Sequence, residues 1–267
     1  MTRTDVQPEW RALWERYGRV EDQPPEMFLE WIHPHGPEAF QGKRVLDAGC
    51  GGGQHASFVA RFARELVGVD RSTGDLVRER LAPFPNVTVH QGDIARIRPE
   101  ELGGPFDVVY SIGVIHHTDD PDATFANLVR CLKPGGLIIA WVYSLEGNRV
   151  ARWGVEPARK LLLRHLSQPL LHGLSWGLTV PALAAAHTVY RLPGARGVLP
   201  MASYLRYQRE LPPWRVAMNV LDKLVAPHTD FISRERAERW LRDPLLEPVH
   251  FSRFLDVSWR LSARRRG

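Results

Sequence analysis

The feature that most constrains the fold of this chain is a glycine-rich run at residues 49–53. It follows a short apolar segment at residues 44–46 and precedes Phe58, Val59 and Phe62, whose spacing is that of one helix face. Glycine at a strand-to-helix turn permits positive φ angles and lets a ligand approach the backbone closely. The run therefore predicts a strand, a tight turn and a helix, with the turn either binding a ligand or serving only as a connection.

Short apolar segments and amphipathic helix patterns alternate after this turn. Alternation at this spacing predicts an α/β fold with a doubly wound, mostly parallel sheet and helices on both faces. Ser72 followed by Asp75 resembles a capping box and predicts the start of the second helix of this series. Predicted strands occupy residues 66–69, 87–89, 107–110 and 137–143, and further candidates lie near residues 248–251 and 256–262.

The alternation stops near residue 146 and resumes near residue 232, which divides the chain into three predicted parts. Residues 1–42 form an N-terminal helical segment. Residues 43–145 together with residues 232–267 form the sheet domain, and residues 146–231 form a helical cap inserted after the fifth strand. The predicted helix face of the first part comprises Trp10, Leu13, Trp14 and Tyr17.

Three aspartates, Asp47, Asp70 and Asp93, are expected at the carboxyl ends of the first three strands. Parallel sheets bind ligands at that edge, where a carboxylate can accept hydrogen bonds from ribose hydroxyls or an adenine amino group. Gln54 replaces the third glycine of a nicotinamide-binding loop, and Asp47 suits an ammonium group better than a pyrophosphate. Each acid alone could be a helix cap or a turn residue, but together they favour a nucleoside ligand with a cationic part.

Five ordered motifs in residues 43–143 resemble those of class I S-adenosylmethionine-dependent methyltransferases. They are D-A-G-C-G-G-G, G-V-D-R-S, Q-G-D-I, F-D-V-V-Y-S-I-G-V-I-H-H-T and L-K-P-G-G. The resemblance implies a Rossmann-like fold with a seven-stranded sheet whose last strand is antiparallel, and S-adenosylmethionine as cofactor. It implies the following contacts: Gly49 and Gly51 under the methionine part, Asp47 near its amino group, Asp70 at the ribose, Arg71 beside the adenine, Asp93 and the Ile94 backbone at the adenine edge, and Ser111 on the methionine side.

Two further motifs, W-E-R-Y-G at residues 14–18 and W-V-Y-S-L-E-G-N at residues 141–148, resemble a bacterial subgroup with a helical cap. In that subgroup Tyr17 would close over the cofactor carboxylate. A buried helix tyrosine without a ligand is the alternative.

His116 and His117 follow the fourth strand, where related enzymes meet the methyl acceptor. Methyl transfer needs alignment above all, and an alcohol or phenol acceptor also needs a base, for which histidine titrates in a useful range. The resemblance favours His117 as this base, with His228 as a second candidate; a packed or solvent-facing histidine is the alternative. Quinone-pathway O-methyltransferases are similar here, but Gly113 and His116 replace their expected metal-binding glutamates, so no metal is predicted.

Residues 165–190 contain no Asp, Glu, Lys or Arg and are rich in leucine. About 20 apolar residues can span a bilayer, but Pro169 and Pro181 oppose that interpretation. A buried cap and a cap that also contacts lipid remain, and both predict a small, apolar methyl acceptor. The flanking basic residues are Arg159, Lys160, Arg164, Arg191 and Arg196.

The composition is that of a globular protein of 267 residues with a formal net charge of +5. This charge is too small to indicate nucleic acid as a partner. A content of only two cysteines is typical of proteins in a reducing compartment. We therefore expect a cytoplasmic methyltransferase, either free or peripheral at the inner membrane face, and favour O-methylation. A methyltransferase of RNA or protein and a non-catalytic cofactor-binding partner are the alternatives, and the sequence leaves the oligomeric state open.

Overall fold

The computed structural model describes residues 7–17, 25–192, 194 and 198–267. It divides into two compact units. The sheet unit comprises the described residues up to Tyr143 together with His228–Ser252 and Trp259–Gly267, and the insertion unit comprises Ser144–Pro227 and Arg253–Ser258.

The sheet unit contains all the strands of a seven-stranded sheet apart from residues at the β6–β7 turn. Its strands are β1 (Arg44–Ala48), β2 (Glu65–Asp70), β3 (Val87–Gln91), β4 (Phe106–Ile112), β5 (Leu132–Tyr143), β6 (Leu246–Phe254) and β7 (Ser258–Arg265). Its helices include α1 (Gln7–Tyr17), α2 (Pro25–Ile32), α3 (Gln54–Val59), α4 (Gly74–Leu81), α5 (Pro121–Arg130) and α10 (Arg234–Leu241).

The strand order is β3-β2-β1-β4-β5-β7-β6. Strands β1 to β5 pair in parallel, and the order reverses between β1 and β4. The turn between β6 and β7 is too short for a parallel crossover, so these two strands are antiparallel. The predicted α/β class, with a doubly wound, mostly parallel sheet of seven strands, is confirmed. Ligands bind sheets of this kind outside the carboxyl ends of the strands at the reversal.

Apolar side chains cover both faces of the sheet. Val45 packs in a cluster with α2, α3 and α4, whereas its neighbour Leu46 packs in a second cluster with α5 and α10. Both side chains are fully buried, as expected for a parallel strand covered by helices on both faces. The two clusters fix the sheet, and with it the positions of the loops at its carboxyl edge.

Local signals locate some helix ends correctly and one wrongly. Asp120 and Ser233 cap α5 and α10 with their side chains, as expected at helix starts. The predicted capping box at Ser72 is wrong, because α4 begins at Gly74 and Thr73 occupies its cap position. The Thr73 hydroxyl donates instead to the Gly51 carbonyl, so this residue holds the glycine loop.

Strand β5 begins five residues earlier than predicted, at Leu132 instead of Leu137. Phe106 pairs with Leu132 but Val108 pairs with Leu137, so the register shifts and the intervening residues form a bulge. Gly135 in this bulge has a φ of 76°. A glycine pair after proline is typical of a turn, which is why the sequence pattern places the start of the strand at Leu137.

The insertion unit is helical and contains α6 (Glu156–Leu161), α7 (Gln168–His187), α8 (Ala202–Gln208) and α9 (Pro213–Val225). A π-helical segment, Ala151–Val155, leads into α6, and α7 packs against α8 and α9. Within the described ranges, no helix combines the length and apolar character that a membrane crossing requires. Arg196, predicted to flank the apolar stretch, lies outside the described residues.

Candidate functional site

The glycine loop after β1 has a backbone that only glycine adopts without strain at several positions. Gly49, Gly51 and Gly53 have φ angles of 94°, 51° and 78°. The amides of Gly49 and Cys50 donate to the Val69 carbonyl at 2.8 and 3.1 Å, which fastens the loop to the end of β2. The loop therefore presents backbone, without side chains, at the edge where ligands bind.

Asp70 ends β2 and connects this strand to the loop. Its Oδ2 accepts a hydrogen bond from the Gly51 amide at 3.0 Å, and its Oδ1 accepts one from the Ser72 amide at 2.9 Å. A carboxylate has about four acceptor positions, so these two bonds leave capacity for ligand hydroxyls. The position predicted for a ribose-binding acid thus carries an oriented carboxylate.

Asp93, just beyond β3, forms an ion pair with Arg71, with 2.5 Å between Oδ2 and Nη2. Its Oδ1 accepts a hydrogen bond from the Ala95 amide at 3.0 Å. The Ile94 side chain is buried in the core and its carbonyl accepts from Asn127, so Ile94 can offer a ligand only backbone. The structure therefore brings Arg71, Asp93 and Ile94 together, as the adenine assignment requires.

Asp47, the penultimate residue of β1, is buried beneath the loop rather than exposed on it. Its side chain accepts a hydrogen bond from the Tyr110 hydroxyl at 2.6 Å. Burial raises the pKa of Asp47 to about 7, and the hydrogen bond from Tyr110 opposes this rise. The buried Ser111 hydroxyl donates to the Ala48 carbonyl at 2.8 Å, so it braces β4 against β1 beside Asp47.

Helix α1 lies over the glycine loop through Trp14. A Cβ atom placed on Gly51 or Gly52 would come within 2.7 Å of the Trp14 indole, so the ring packs directly on this backbone. Arg11 fastens the helix to the start of α4, because its guanidinium pairs with Asp75 at 2.7 and 2.9 Å. Sequence reasoning placed Trp14 on a helix face but missed its contact with the loop.

Tyr17, at the end of α1, has a buried side chain, and burial raises the pKa of its hydroxyl. Its position at the C-terminal end of the covering helix agrees with either of the two interpretations drawn from the sequence. Trp10 on the same helix contacts the His117 ring, with 5.1 Å between ring centroids. Helix α1 therefore spans from the glycine loop to the histidines after β4.

His117 is oriented by a main-chain carbonyl. Its Nδ1 lies 2.7 Å from the carbonyl oxygen of His228. Because a carbonyl only accepts hydrogen bonds, Nδ1 carries a proton and donates it to the His228 carbonyl. His228, proposed from sequence as a second base, thus contributes its backbone to the site.

The ring of His116 is fully buried, and the Tyr143 amide donates to its Nδ1 at 3.4 Å. It contacts the rings of His117 and Tyr143, both with 4.2 Å between centroids. Trp141 packs against Tyr143 at 5.3 Å, which extends a wall of aromatic rings along the end of β5. This wall was not predicted, although alternate aromatic residues at the end of a buried strand would have indicated it.

The segment 228–232 holds these groups in place as the chain returns from the insertion. The Asp230 amide donates to the His116 carbonyl at 2.8 Å, and the Ile232 amide donates to the Tyr143 carbonyl at 2.9 Å. The Asp230 carboxylate pairs with Arg236 at 2.6 Å, and Arg236 also pairs with Asp122 at 2.9 Å. Asp230, two residues after His228, is therefore tied to α10 by Arg236, which also pairs with α5. Across the described residues, no group of three His, Cys, Asp or Glu side chains could hold a metal ion.

The chain is similar in sequence to known methyltransferases. Residues 46–140 match the model of a methyltransferase domain family. The ubiquinone biosynthesis O-methyltransferase of Paracidovorax citrulli is 34% identical over 128 residues, which cover 46% of this chain and 51% of that protein. The chain thus spans about half the length of this curated relative.

Two solved structures share the fold. An O-methyltransferase family protein from Burkholderia thailandensis superposes with a TM-score of 0.55 at 13% identity, covering 97% of this chain and 60% of that one. The N-methyltransferase NodS from Bradyrhizobium japonicum, in complex with S-adenosyl-L-homocysteine, gives a TM-score of 0.50 at 13% identity, covering 96% and 98%. The domain match and the strand order bear out the resemblance to class I S-adenosylmethionine-dependent methyltransferases: residues 46–140 form a methyltransferase domain, and the two superpositions show the shared fold.

Proposed function

We propose that this chain transfers a methyl group from S-adenosylmethionine to the oxygen of a small, apolar or lipid-linked acceptor. The observation that carries this proposal is the alignment, along one sheet edge, of the glycine loop, the Asp70 and Asp93 carboxylates, and His117, whose Nδ1 donates to the His228 carbonyl. The name of the Paracidovorax relative supports an oxygen acceptor.

The residues of the edge fit this cofactor in their chemistry. Asp70 would accept the ribose hydroxyls, Arg71 would flank the adenine, and Asp93 with the Ile94 backbone would bind the adenine edge. Close backbone approach at Gly49 and Gly51, with Asp47 and Ser111 behind them, suits the methionine part. When bound, the cofactor supplies an electrophilic methyl group on a sulfonium.

Residues of the chain itself would accept the proton of the acceptor and exclude water from the site. Nε2 of His117 would accept the acceptor hydroxyl proton, and the His228 carbonyl would stabilise the protonated ring through Nδ1. His116 would hold the His117 ring in place through their contact. Tyr17, Trp10 and Trp14 on α1 would exclude water from the site.

The organisation of the chain forms part of the proposal. Residues 43–145 and 232–267 would bind the cofactor, residues 1–42 would cover it, and residues 146–231 would form the cap that selects the acceptor. We place the protein in the cytoplasm, with a peripheral contact to the membrane through residues 165–190.

Isothermal titration calorimetry with S-adenosylmethionine and S-adenosylhomocysteine tests the cofactor assignment. We expect Asp70→Ala to weaken binding by about tenfold or more, as for loss of a charged hydrogen bond of about 1.5–3 kcal/mol. Asp243→Ala, which removes a carboxylate from an exposed turn, serves as the matched control. Unchanged affinity in Asp70→Ala would refute the ribose assignment.

Methyl transfer to a metabolite extract, compared with a macromolecular extract, tests the acceptor class. We expect labelled product only in the metabolite fraction, soluble in organic solvent, and a loss of about 10²- to 10⁴-fold in kcat for His117→Ala with cofactor affinity retained. Label in RNA or protein would favour a macromolecular methyltransferase. Cofactor binding without any transfer would favour a non-catalytic partner.

A further inference from the structure

Helix α7 buries polar side chains and exposes apolar ones. Its buried stripe includes Ser175 and Thr179, both fully buried. Their hydroxyls donate to the carbonyls of His172 and Ser175 at 2.7 Å, so the helix satisfies them itself. A helix surrounded by water normally shows the opposite pattern, with its polar side chains outward.

The outward face of α7 is apolar along its length. Leu170 is 60% exposed and Val180 is 62% exposed. Residues between and beyond them on the same helix side are glycine, proline or alanine, namely Gly173, Gly177, Pro181 and Ala184. No charged side chain interrupts the helix from end to end. A surface of this kind on a water-soluble domain marks a site of contact.

Residues just before α7 extend this exposed apolar surface. Leu161 and Leu162, at the end of α6, are 72% and 66% exposed, and Leu166 is also exposed. Trp153 is 75% exposed, with the Arg152 guanidinium 5.7 Å from its ring centroid. Tryptophan beside a basic residue is common where proteins meet the interface of a bilayer. We call the exposed residues Trp153, Leu161, Leu162, Leu166, Leu170 and Val180 the apolar face.

The positive charge of the same region favours an anionic partner for this face. Residues 147–209 contain nine Lys and Arg residues but only one acidic residue, Glu156. This excess is larger than the formal charge of the whole chain, which is +5. Glu156 is paired with Arg159 at 2.5 Å within its own helix. A second copy of the chain would therefore oppose cations to cations, whereas an anionic lipid surface complements them.

We propose that the apolar face docks on the surface of a bilayer containing anionic lipids. The apolar side chains enter the boundary between headgroups and acyl chains, while exposed basic residues such as Arg149, Lys160 and Arg191 contact lipid phosphates. This contact is peripheral, in agreement with the absence of a membrane-crossing helix among the described residues. It rests on the peripheral membrane contact proposed above and adds the contacting residues and the lipid class. It does not depend on methyl transfer, so its failure would leave the proposed activity untouched, and it can be tested without cofactor or acceptor.

Flotation of the full-length chain with lipid vesicles tests the proposal. Vesicles of phosphatidylcholine alone are compared with vesicles that also contain phosphatidylglycerol. We expect binding to the anionic vesicles that weakens as salt is raised, since surface charges are then screened. The double variant Leu170→Glu/Val180→Glu should bind at least about tenfold more weakly, because it removes apolar burial and adds repulsion. Its circular dichroism should be unchanged, since both positions are exposed.

The matched control is Leu245→Glu/Val249→Glu, which adds the same charges at two exposed apolar positions of the sheet unit. It should bind vesicles like the wild type. Absence of binding to anionic vesicles, or equal binding by both double variants, would overturn the proposal. A concentration-dependent dimer in size-exclusion chromatography that only Leu170→Glu/Val180→Glu abolishes would also overturn it, because the face would then join two copies.

Discussion

The buried carboxyl group of Asp47 makes the free energy of unfolding depend on pH. The pKa of its carboxyl group rises from 3.8 to about 7 on folding, chiefly because burial disfavours the charged form. Between these two values the folded chain keeps a proton that the unfolded chain has released. The folded state is therefore destabilised as pH rises through this range, by about 1.4 kcal/mol per pH unit from this group alone.

We expect Asp47→Asn to remove this dependence while retaining an acceptor for Tyr110. The free energy of unfolding of the variant, relative to wild type, should increase by about 2 kcal/mol between pH 5 and pH 7 and level off above about pH 8. Urea denaturation at a series of pH values measures it. Asp107→Asn is the control, since the pKa of Asp107 is lowered and its contribution changes only at more acidic pH. A constant difference from pH 5 to 8 would contradict the assignment.

Gly51 combines a positive φ of 51° with direct contact to the Trp14 ring. Gly51→Ala should therefore cost backbone strain of about 1–2 kcal/mol and also push Trp14 from the loop. Gly135→Ala is a matched control, because Gly135 has a φ of 76° but nothing within 4 Å of an added Cβ. We expect similar strain in both variants, and a change in tryptophan emission and in cofactor affinity only in Gly51→Ala. Equal emission spectra would show that Trp14 does not rest on the loop in solution.

At the scale of elements, the segment 228–232 is held by ion pairs to two helices. Removing Arg236, which is paired with Asp230 and Asp122, should loosen the carbonyl that orients His117. We expect Arg236→Ala to lower kcat by about tenfold, part of the usual contribution of a general base, and to shift the pH profile of kcat. Cofactor affinity should not change, since the glycine loop is untouched.

Arg234→Ala is the control for that variant, because Arg234 lies on the same helix but pairs with Glu238 at 2.8 Å on the surface. It should leave kcat and its pH profile as in wild type. If both variants lose activity equally, or if Arg236→Ala loses only thermal stability, the ion pairs stabilise α10 without positioning His117.

The helices, strands and loops were predictable from the sequence to different degrees. The order of strands and helices and the glycine loop were predictable because short-range patterns determine them. The Arg11–Asp75 ion pair and the bond from His117 to the His228 carbonyl join residues 64 and 111 positions apart. No local pattern encodes such pairs. His228 was singled out for its side chain, but the structure uses its main chain, which any residue type could supply.

For the whole molecule, the division into two units predicts that the sheet unit can fold without most of the insertion. Tyr143 and Ile232 are hydrogen bonded at 2.9 Å, so the two ends of the sheet unit that flank the insertion lie close together. We expect a chain in which a short glycine linker replaces residues 146–226 to keep a cooperative unfolding transition and to bind S-adenosylmethionine.

Circular dichroism and calorimetry measure these two properties, and the same chain should no longer float with anionic vesicles. Wild type with the identical linker added after Gly267 controls for the linker itself. Loss of the cooperative transition would mean that the sheet requires the insertion to fold. Retained flotation would place the lipid contact in the sheet unit.

The route of the chain back into the sheet unit has a consequence for protein engineering. The oxygen that orients His117 belongs to the first residue of the returning segment, ahead of the strand-like contacts at Asp230 and Ile232. A chimera that exchanges the insertion between related proteins would therefore keep the contact of His117 with this carbonyl only if the graft ends before His228. A junction chosen later, at the helix start of Ser233, would place the backbone of another protein beside the His117 ring.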